Sequence, residues 1–439
     1  MPATGTEMPP LVAASKDQRQ ATMIPTGRHS KADAAPFVAL AMHGDECNLP
    51  GGPSIRVPRT LRALRRIGID AAEFGSRFAR PDIVHLFNVW PAASAMDLAC
   101  GLSRAAVPLV LSPIFMNLSN FDQYAHVVPA LNETRTGAAL DAGLAEISAR
   151  LAEQAGQPLR DPFPGYHRKV CAIVRLASHV ILVSNFERRC LEAIGALADR
   201  SATVVRNPVN ADVLENADPD LFRAAFGIGD YVLQVGRIEP RKNQLLTAVA
   251  CRRLGVTAVF IGAEADLPYA AHLRRIAGAH ALFVPRLEHS DPLFASAVCG
   301  ASAFCLPSWA EGAPLAALEA GAAGVPLVLS DRAGEREYFG DHADYVCPAD
   351  LPAMMDAIRK ALVGAADAPA RAARTAHIRS SFPWDAHARG TAAVYRAVLA
   401  EHPARRAHAN RLFSFPDRMS LNAYMRRHIP FLRTSASAM

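Results

Sequence analysis

The chain has 439 residues, 51% hydrophobic and 20% charged, with a net charge of +6. It is too long for one ordinary core and suits two α/β domains, and no uninterrupted apolar run is long enough to cross a bilayer. Its eight cysteines form no C-x-x-C pair and no cysteine–histidine cluster, so neither a disulfide framework nor a zinc site is expected, and free thiols are the default.

Residues 1–35 lack the positive start and apolar stretch of a secretory signal; they read as a flexible leader, which points to the cytoplasm. From Pro36, the run PFVALAM (36–42) is followed by a loop with Gly51 and Gly52, then by SIRVPRTLRALRRIG at helical spacing, a β-loop-α opening. DIVHLFNV (82–89), VPLVLS (107–112), HVILVS (179–184) and ATVVR (202–206) read as buried strands of a parallel sheet. Between 113 and 168 a polar and aromatic stretch with an alanine-rich helix breaks this rhythm, an insertion of the functional or mobile kind.

Turn formers gather at Arg206-Asn207-Pro208-Val209-Asn210, which separates a first domain over 36–208 from a second over 209–384. The second repeats the pattern with YVLQVG (231–236), TAVFIG (257–262), ALFVP (281–285), AFCLPS (303–308) and PLVLS (326–330), with helices between. A last helix over 385–400 and a basic tail over 401–439 close the chain. The expected fold is therefore two doubly wound, Rossmann-like domains facing across a cleft.

The segment Ser308-Trp309-Ala310-Glu311-Gly312-Ala313-Pro314-Leu315 runs into LEA with Glu319. Pro314 suits a first helical turn, so Glu311 falls before the helix and Glu319 in its second turn. Open amides at such an N-terminus favour a diphosphate, and Gly312 lets the backbone come close. Glu319 could accept from both hydroxyls of a ribose and Glu311 from hydroxyls of a sugar; equally, Glu311 could be a capping charge and Glu319 an exposed helical residue.

A second run, Gly236-Arg237-Ile238-Glu239-Pro240-Arg241-Lys242-Asn243, stands at the C-terminal end of a strand, where doubly wound folds bind ligands. Arg237 and Lys242 are suited to neutralising a departing nucleoside diphosphate, so no metal is required; a solvated basic loop is the alternative. Of the 47 basic residues only five are lysine, so a compact point charge at Lys242 reads as a specific requirement.

Together, VLQVGRIEPRKN, VPRLEHSDPLFASAVCGASAFCLPSWAEGAPLAALEAGAAGVPLVLSD, Gly334 and Glu337 resemble the GT-B retaining glycosyltransferases of family 4, known as glycosyltransferase group 1, over most of 230–350. The resemblance implies that Arg237 and Lys242 bind the donor diphosphate, that Glu311 and Glu319 contact sugar and ribose, and that Arg286 and Leu287 border the nucleobase. It also implies transfer with retention, the leaving phosphate helping to deprotonate the acceptor on the same face. By the same likeness Gly51-Gly52 is the glycine loop against the diphosphate, although Gly-Gly alone would be an ordinary turn. DIVHLFN resembles a segment that often carries His-x-His, but Phe87 stands at the second histidine, which leaves His85 as either a site residue or a core histidine.

Asp218-Pro219-Asp220 precedes LFRAAFG and reads as a turn with an N-cap, not as a metal motif. Arg56, Arg59, Arg62, Arg65 and Arg66, with the tail arginines, suggest either a solvated cationic surface or contact with anionic lipid, in keeping with lipid-linked acceptors; no nucleic-acid motif accompanies them. The expected activity is metal-independent transfer of a hexosyl group from a nucleotide-diphosphate sugar to a glycan or lipid-linked acceptor, in polysaccharide or glycoconjugate synthesis. A catalytically silent sugar-nucleotide-binding partner and a GT-B sugar-nucleotide epimerase are the alternatives.

Overall fold

The computed structural model describes residues 35–44, 52–77 and 79–401; Gly51, the leader over 1–34 and the tail from 402 onward lie outside the described residues. The first sheet contains β1 (Phe37–Ala41), β2 (Asp70–Glu73), β3 (Ile83–Phe87), β4 (Leu109–Ser112), β5 (His179–Leu182) and β6 (Ala202–Val204), in the order β2-β1-β3-β4-β5-β6. The second contains β7 (Tyr231–Val235), β8 (Thr257–Ile261), β9 (Ala281–Val284), β10 (Ala303–Leu306), β11 (Leu327–Ser330) and β12 (Asp344–Val346), ordered β12-β11-β10-β7-β8-β9. All recorded strand pairs are parallel.

The central strands are buried along their whole length because helices cover both faces, so their sequences are continuous apolar runs without alternation. Edge strands β2 and β12 escape that signature: DAAE and DYV are short and half polar. Four helices of the second half start from an Asp side chain that accepts an amide of the first turn, with a Pro at the first or second helical position: Asp266, Asp291, Asp350 and Asp367.

The 113–168 stretch is helical, with Ser119–Tyr124, Val127–Thr134 and Gly137–Glu153. Expected as an insertion of the first domain, it packs instead on the second sheet: Tyr124, Val128, Leu140, Leu144, Ile147 and Leu151 share a core with Leu245, Phe260 and Trp309. The Asp141–Arg253 ion pair at 2.8 Å holds it there. Apolar faces of these helices join the core formed with Leu245, Leu273 and Trp309, an attachment that chain order does not reveal.

The helix Trp384–Glu401 returns to the first sheet, burying Ala392, Val394, Tyr395 and Val398 against Val38, Leu40, Val57 and Leu64. The two crossings between the sheets lie side by side, Val209 N donating to Phe382 O at 2.9 Å. Asp218 accepts from Asp220 N at 2.9 Å before the helix Asp220–Phe226, a turn as expected, but the cap position falls to Pro219, which has no side-chain acceptor to offer.

Candidate functional site

In the second sheet the chain leaves β7 towards β8 and β9 on one side and returns through β10 on the other. The crevice outside the C-terminal ends of β7 and β10 is therefore the topological switch point where such sheets bind ligands. Both chemistry-bearing runs emerge there. Gly236 opens the first at φ +150°, a backbone conformation suited to glycine, with the Lys242 chain folded 3.3 Å from where a Cβ would stand. Asn243, at φ +57°, donates to Pro307 O at 3.1 Å and Pro348 O at 2.9 Å, and Gln234 donates to Lys242 O at 2.8 Å. The loop is thus fixed at both ends.

Three donors converge on one oxygen, Glu311 Oε1: Lys242 Nζ at 2.5 Å, Ser308 Oγ at 2.9 Å and Arg241 at 3.2 Å. Arg241 also donates to Ala310 O at 2.7 Å and to Glu239 Oε1 at 2.5 Å, and Arg237 pairs with Glu239 at 3.3 Å. The result is an alternating chain of charges, Arg237–Glu239–Arg241–Glu311–Lys242. Burial alone would raise the Glu311 carboxyl, but Lys242 and Arg241 outweigh it and hold it below the usual carboxylate range. Burial pulls the Lys242 ammonium down against the pull of Glu311.

The second run delivers a helix N-terminus to the same place. Leu315 is its first helical residue and Pro314, with φ −74° and ψ 108°, is the cap, one position earlier than expected. Gly312 is buried against the first domain: a Cβ there would stand 3.2 Å from Ile114 Cγ2. Ala313 O accepts from Asn207 of the crossing segment at 3.1 Å. Glu319 is 4% exposed and not a solvated helical residue; its Oε1 meets His289 Nε2 at 2.9 Å and Arg59 of the first domain at 3.5 Å.

At the C-terminal ends of β8 and β9 lies a cavity of about 450 Å³ lined by Ile238, Gly262, Glu264, Phe283 and Arg286 among others. Arg286 pairs with Glu288 at 3.3 Å at its rim, and Leu287 packs against the buried cluster that holds Val284, Phe294 and Leu318. Arg274 pairs with Glu264 and covers the Phe283 ring 4.2 Å from its centroid.

On the first-domain side, Gly52 is an exposed first residue of the helix Gly52–Arg66. His85 lies in the core: Tyr395 Oη at 2.7 Å and Ser112 Oγ at 2.9 Å occupy its ring nitrogens, and it stacks on Phe87 at 4.0 Å. The basic face expected on Gly52–Arg66 is divided, because helical spacing turns Arg56 and Arg59 inward with Val57 and Leu64, leaving Arg62, Arg65 and Arg66 exposed.

The sequence left Glu239, Arg241, His289 and Glu335 without a role, and placed Arg59 only on a basic face. Glu239 and Arg241 stood inside the recognised run; the contacts of Arg59 and His289 had no signal, since each acts on Glu319 from a distant segment. Glu335, just before the helix Arg336–Phe339 that follows β11, is 1% exposed with neither carboxylate oxygen bonded to another residue. Burial, then the charge on Glu311, pushes it up to about 8.

Residues 223–376 match the family model described as Glycosyl transferases group 1. Among curated relatives, a D-inositol 3-phosphate glycosyltransferase of Mycolicibacterium paratuberculosis is 29% identical over 53% of this chain and 56% of its own. A glycogen synthase of Mycobacterium tuberculosis is 35% identical over 38% of this chain and 42% of its own. The chain thus spans about half the length of these relatives. Among solved structures, sucrose-phosphate synthase from Thermosynechococcus elongatus superposes with a TM-score of 0.61 at 18% identity, covering 84% of this chain and 100% of that one. The Anabaena protein HepE in complex with UDP gives 0.54 at 18% identity, covering 82% and 100%. These two establish the fold, GT-B.

Proposed function

We propose, from the premise that this chain is a group 1 glycosyltransferase of the GT-B fold, that it moves a hexosyl group from a nucleoside diphosphate sugar to a glycan or lipid-linked acceptor with retention of configuration. The observation that carries this reading is the meeting of Lys242 and Arg241 on Glu311 Oε1 beside the open helix N-terminus at Leu315. Groups suited to a diphosphate and to sugar hydroxyls lie together at one switch point.

In this reading the unpaired amides of Leu315, Ala316 and Ala317 receive the diphosphate, and Arg237 and Lys242 neutralise the charge that builds on it as the glycosidic carbon–oxygen bond breaks. Two fixed cations supply that charge without a divalent ion. Glu311 orients the sugar through its hydroxyls, Glu319 accepts from the ribose, and the cavity bordered by Arg286 and Leu287 takes the base. The acceptor oxygen forms the new bond on the face the phosphate leaves, and its proton passes to a phosphate oxygen. Gly52, the first residue of its helix, would approach the diphosphate from the first domain.

The relatives' names span an inositol phosphate and glycogen, in keeping with a role in polysaccharide or glycoconjugate synthesis without choosing the acceptor. Contact with an anionic membrane surface would fall to Arg62, Arg65 and Arg66; sedimentation with anionic liposomes tests it. The central test is a thermal-shift panel of UDP-, GDP- and ADP-sugars followed by product analysis with the best donor. Stabilisation with a glycosylated product supports transfer. Stabilisation without turnover on any glycan or lipid-linked acceptor would make the chain a silent binding partner.

A further inference from the structure

The first sheet has its own switch point, between β1 and β3, since the chain leaves β1 for β2 on one side and crosses to β3 on the other. Arg56, in the helix that follows β1, lies over the ring of Phe87 at the C-terminal end of β3, 5.4 Å from its centroid. It is 2% exposed, and none of its three guanidinium nitrogens has a hydrogen-bond partner.

Among the described residues, none completes it. The nearby Glu187 carboxylate is spent on backbone amides, accepting from Phe115 N at 2.7 Å and Val183 N at 2.6 Å. The Tyr338 hydroxyl, from the second domain, donates to Val183 O at 2.6 Å and accepts from Asn207 N at 2.9 Å, and Tyr395 is engaged with His85. Burial pulls the guanidinium down, and the fields of Tyr338, Glu187 and Tyr395 oppose that pull from both sides of the cleft. One turn further along the same helix face, Arg59 reaches across to Glu319. The face that carries Arg56 is thus the face turned to the second domain.

We propose that Arg56 is an anion-recognising residue of the sugar-binding cleft, taking a carboxylate or phosphate carried by one of the two sugars. A planar fork of donors without acceptors, held in a desolvated place, suits a bidentate anion, and the contact is strengthened by the low local dielectric. The inference deepens the glycosyltransferase reading and rests on it: the substrate pair would include an anionic sugar.

The test uses the full chain and its Arg56→Met and Arg56→Lys variants. Two pairs of probes differ mainly in an anion: UDP-glucuronate against UDP-glucose for the donor, glucose 6-phosphate against glucose for the acceptor. Wild type is expected to favour the anionic member of one pair by about ten- to hundredfold in affinity, the Met variant to lose that preference, and the Lys variant to keep part of it. The Met variant should also melt at a higher temperature, because an uncompensated buried charge has been removed. Equal binding of both members in both pairs overturns the anion site and leaves the donor reading standing. A lower melting temperature in Arg56→Met with unchanged discrimination makes Arg56 structural and overturns it too. If wild type binds no sugar nucleotide, the donor reading fails and this inference with it.

Discussion

Lys242 Nζ and Glu311 Oε1 stand 2.5 Å apart although 69 positions separate them in the chain. They descend from neighbouring strands, β7 and β10, so the parallel register that pairs Ala303 with Val232 also brings their loops together. An ammonium and a carboxylate are thereby held in one charge network with Arg241.

That network separates catalytic from structural cost. Lys242→Met should lower transfer by at least ~10²-fold while the fold survives, because Arg241 and Ser308 still satisfy Glu311. Glu311→Ala should lower transfer similarly and also destabilise, by roughly 3–5 kcal/mol, since it strands the buried Lys242 ammonium while Arg241 keeps Glu239. Steady-state kinetics and urea unfolding of both variants check this; near-normal turnover in both would remove the site assignment.

Glu319 is held by His289 and Arg59, so its change should register in donor binding more than in chemistry. Glu319→Gln is expected to raise the donor KM by roughly 10-fold or more with a smaller change in kcat, the loss expected when a hydrogen bond to a charged group goes. A 2′-deoxyribose donor should then bind wild type and variant alike. A variant that still prefers the ribose donor as strongly as wild type does would argue against the ribose contact.

Glu335 gives stability a pH dependence of known sign. Burial pushes its carboxyl from near 4.5 up to about 8, so the folded chain holds an extra proton between those values and stability falls as pH rises through that window. The slope is at most ~1.4 kcal/mol per unit. Glu335→Gln should therefore be more stable than wild type at about pH 8, with the gap closing by about pH 5. Thermal melts that stay parallel across the range would show that the carboxyl is not protonated on folding.

Gly262 limits how the loop that begins at Gly236 can be built. A Cβ there would lie 2.0 Å from Gly236 O and 2.7 Å from its carbonyl carbon, backbone that cannot yield. Gly262→Ala should cost several kcal/mol or displace the loop, about as much as other strain or overpacking at close contacts. Gly52→Ala meets nothing within 4 Å and serves as the control, with little change in melting temperature expected. Equal melting of the two variants would disprove the close approach.

The strands of both sheet centres, the helix Leu315–Ala322 and the two runs at the second switch point were legible because buried parallel strands and glycine- or proline-bounded turns leave local signatures. β2 and β12 were not, since edge strands need no apolar run. The 119–153 helices were seen as a break in rhythm, but their attachment to the second core depends on Trp309 stacking with Tyr124 and on like contacts far apart in sequence.

The same division runs through the site. Residue types and spacing by themselves determined that Arg237, Lys242, Glu311 and Glu319 belong at strand ends and at a helix start, because those are properties of neighbours along the chain. Only the tertiary structure decided that Arg241 binds Glu311, that Arg59 crosses to Glu319, that His85 is consumed by Tyr395 and Ser112, and that Arg56 is buried without a hydrogen-bond partner among the described residues. Each of those depends on which distant groups share a desolvated space, and electrostatics there is set by distance and burial, neither of which is written in local order.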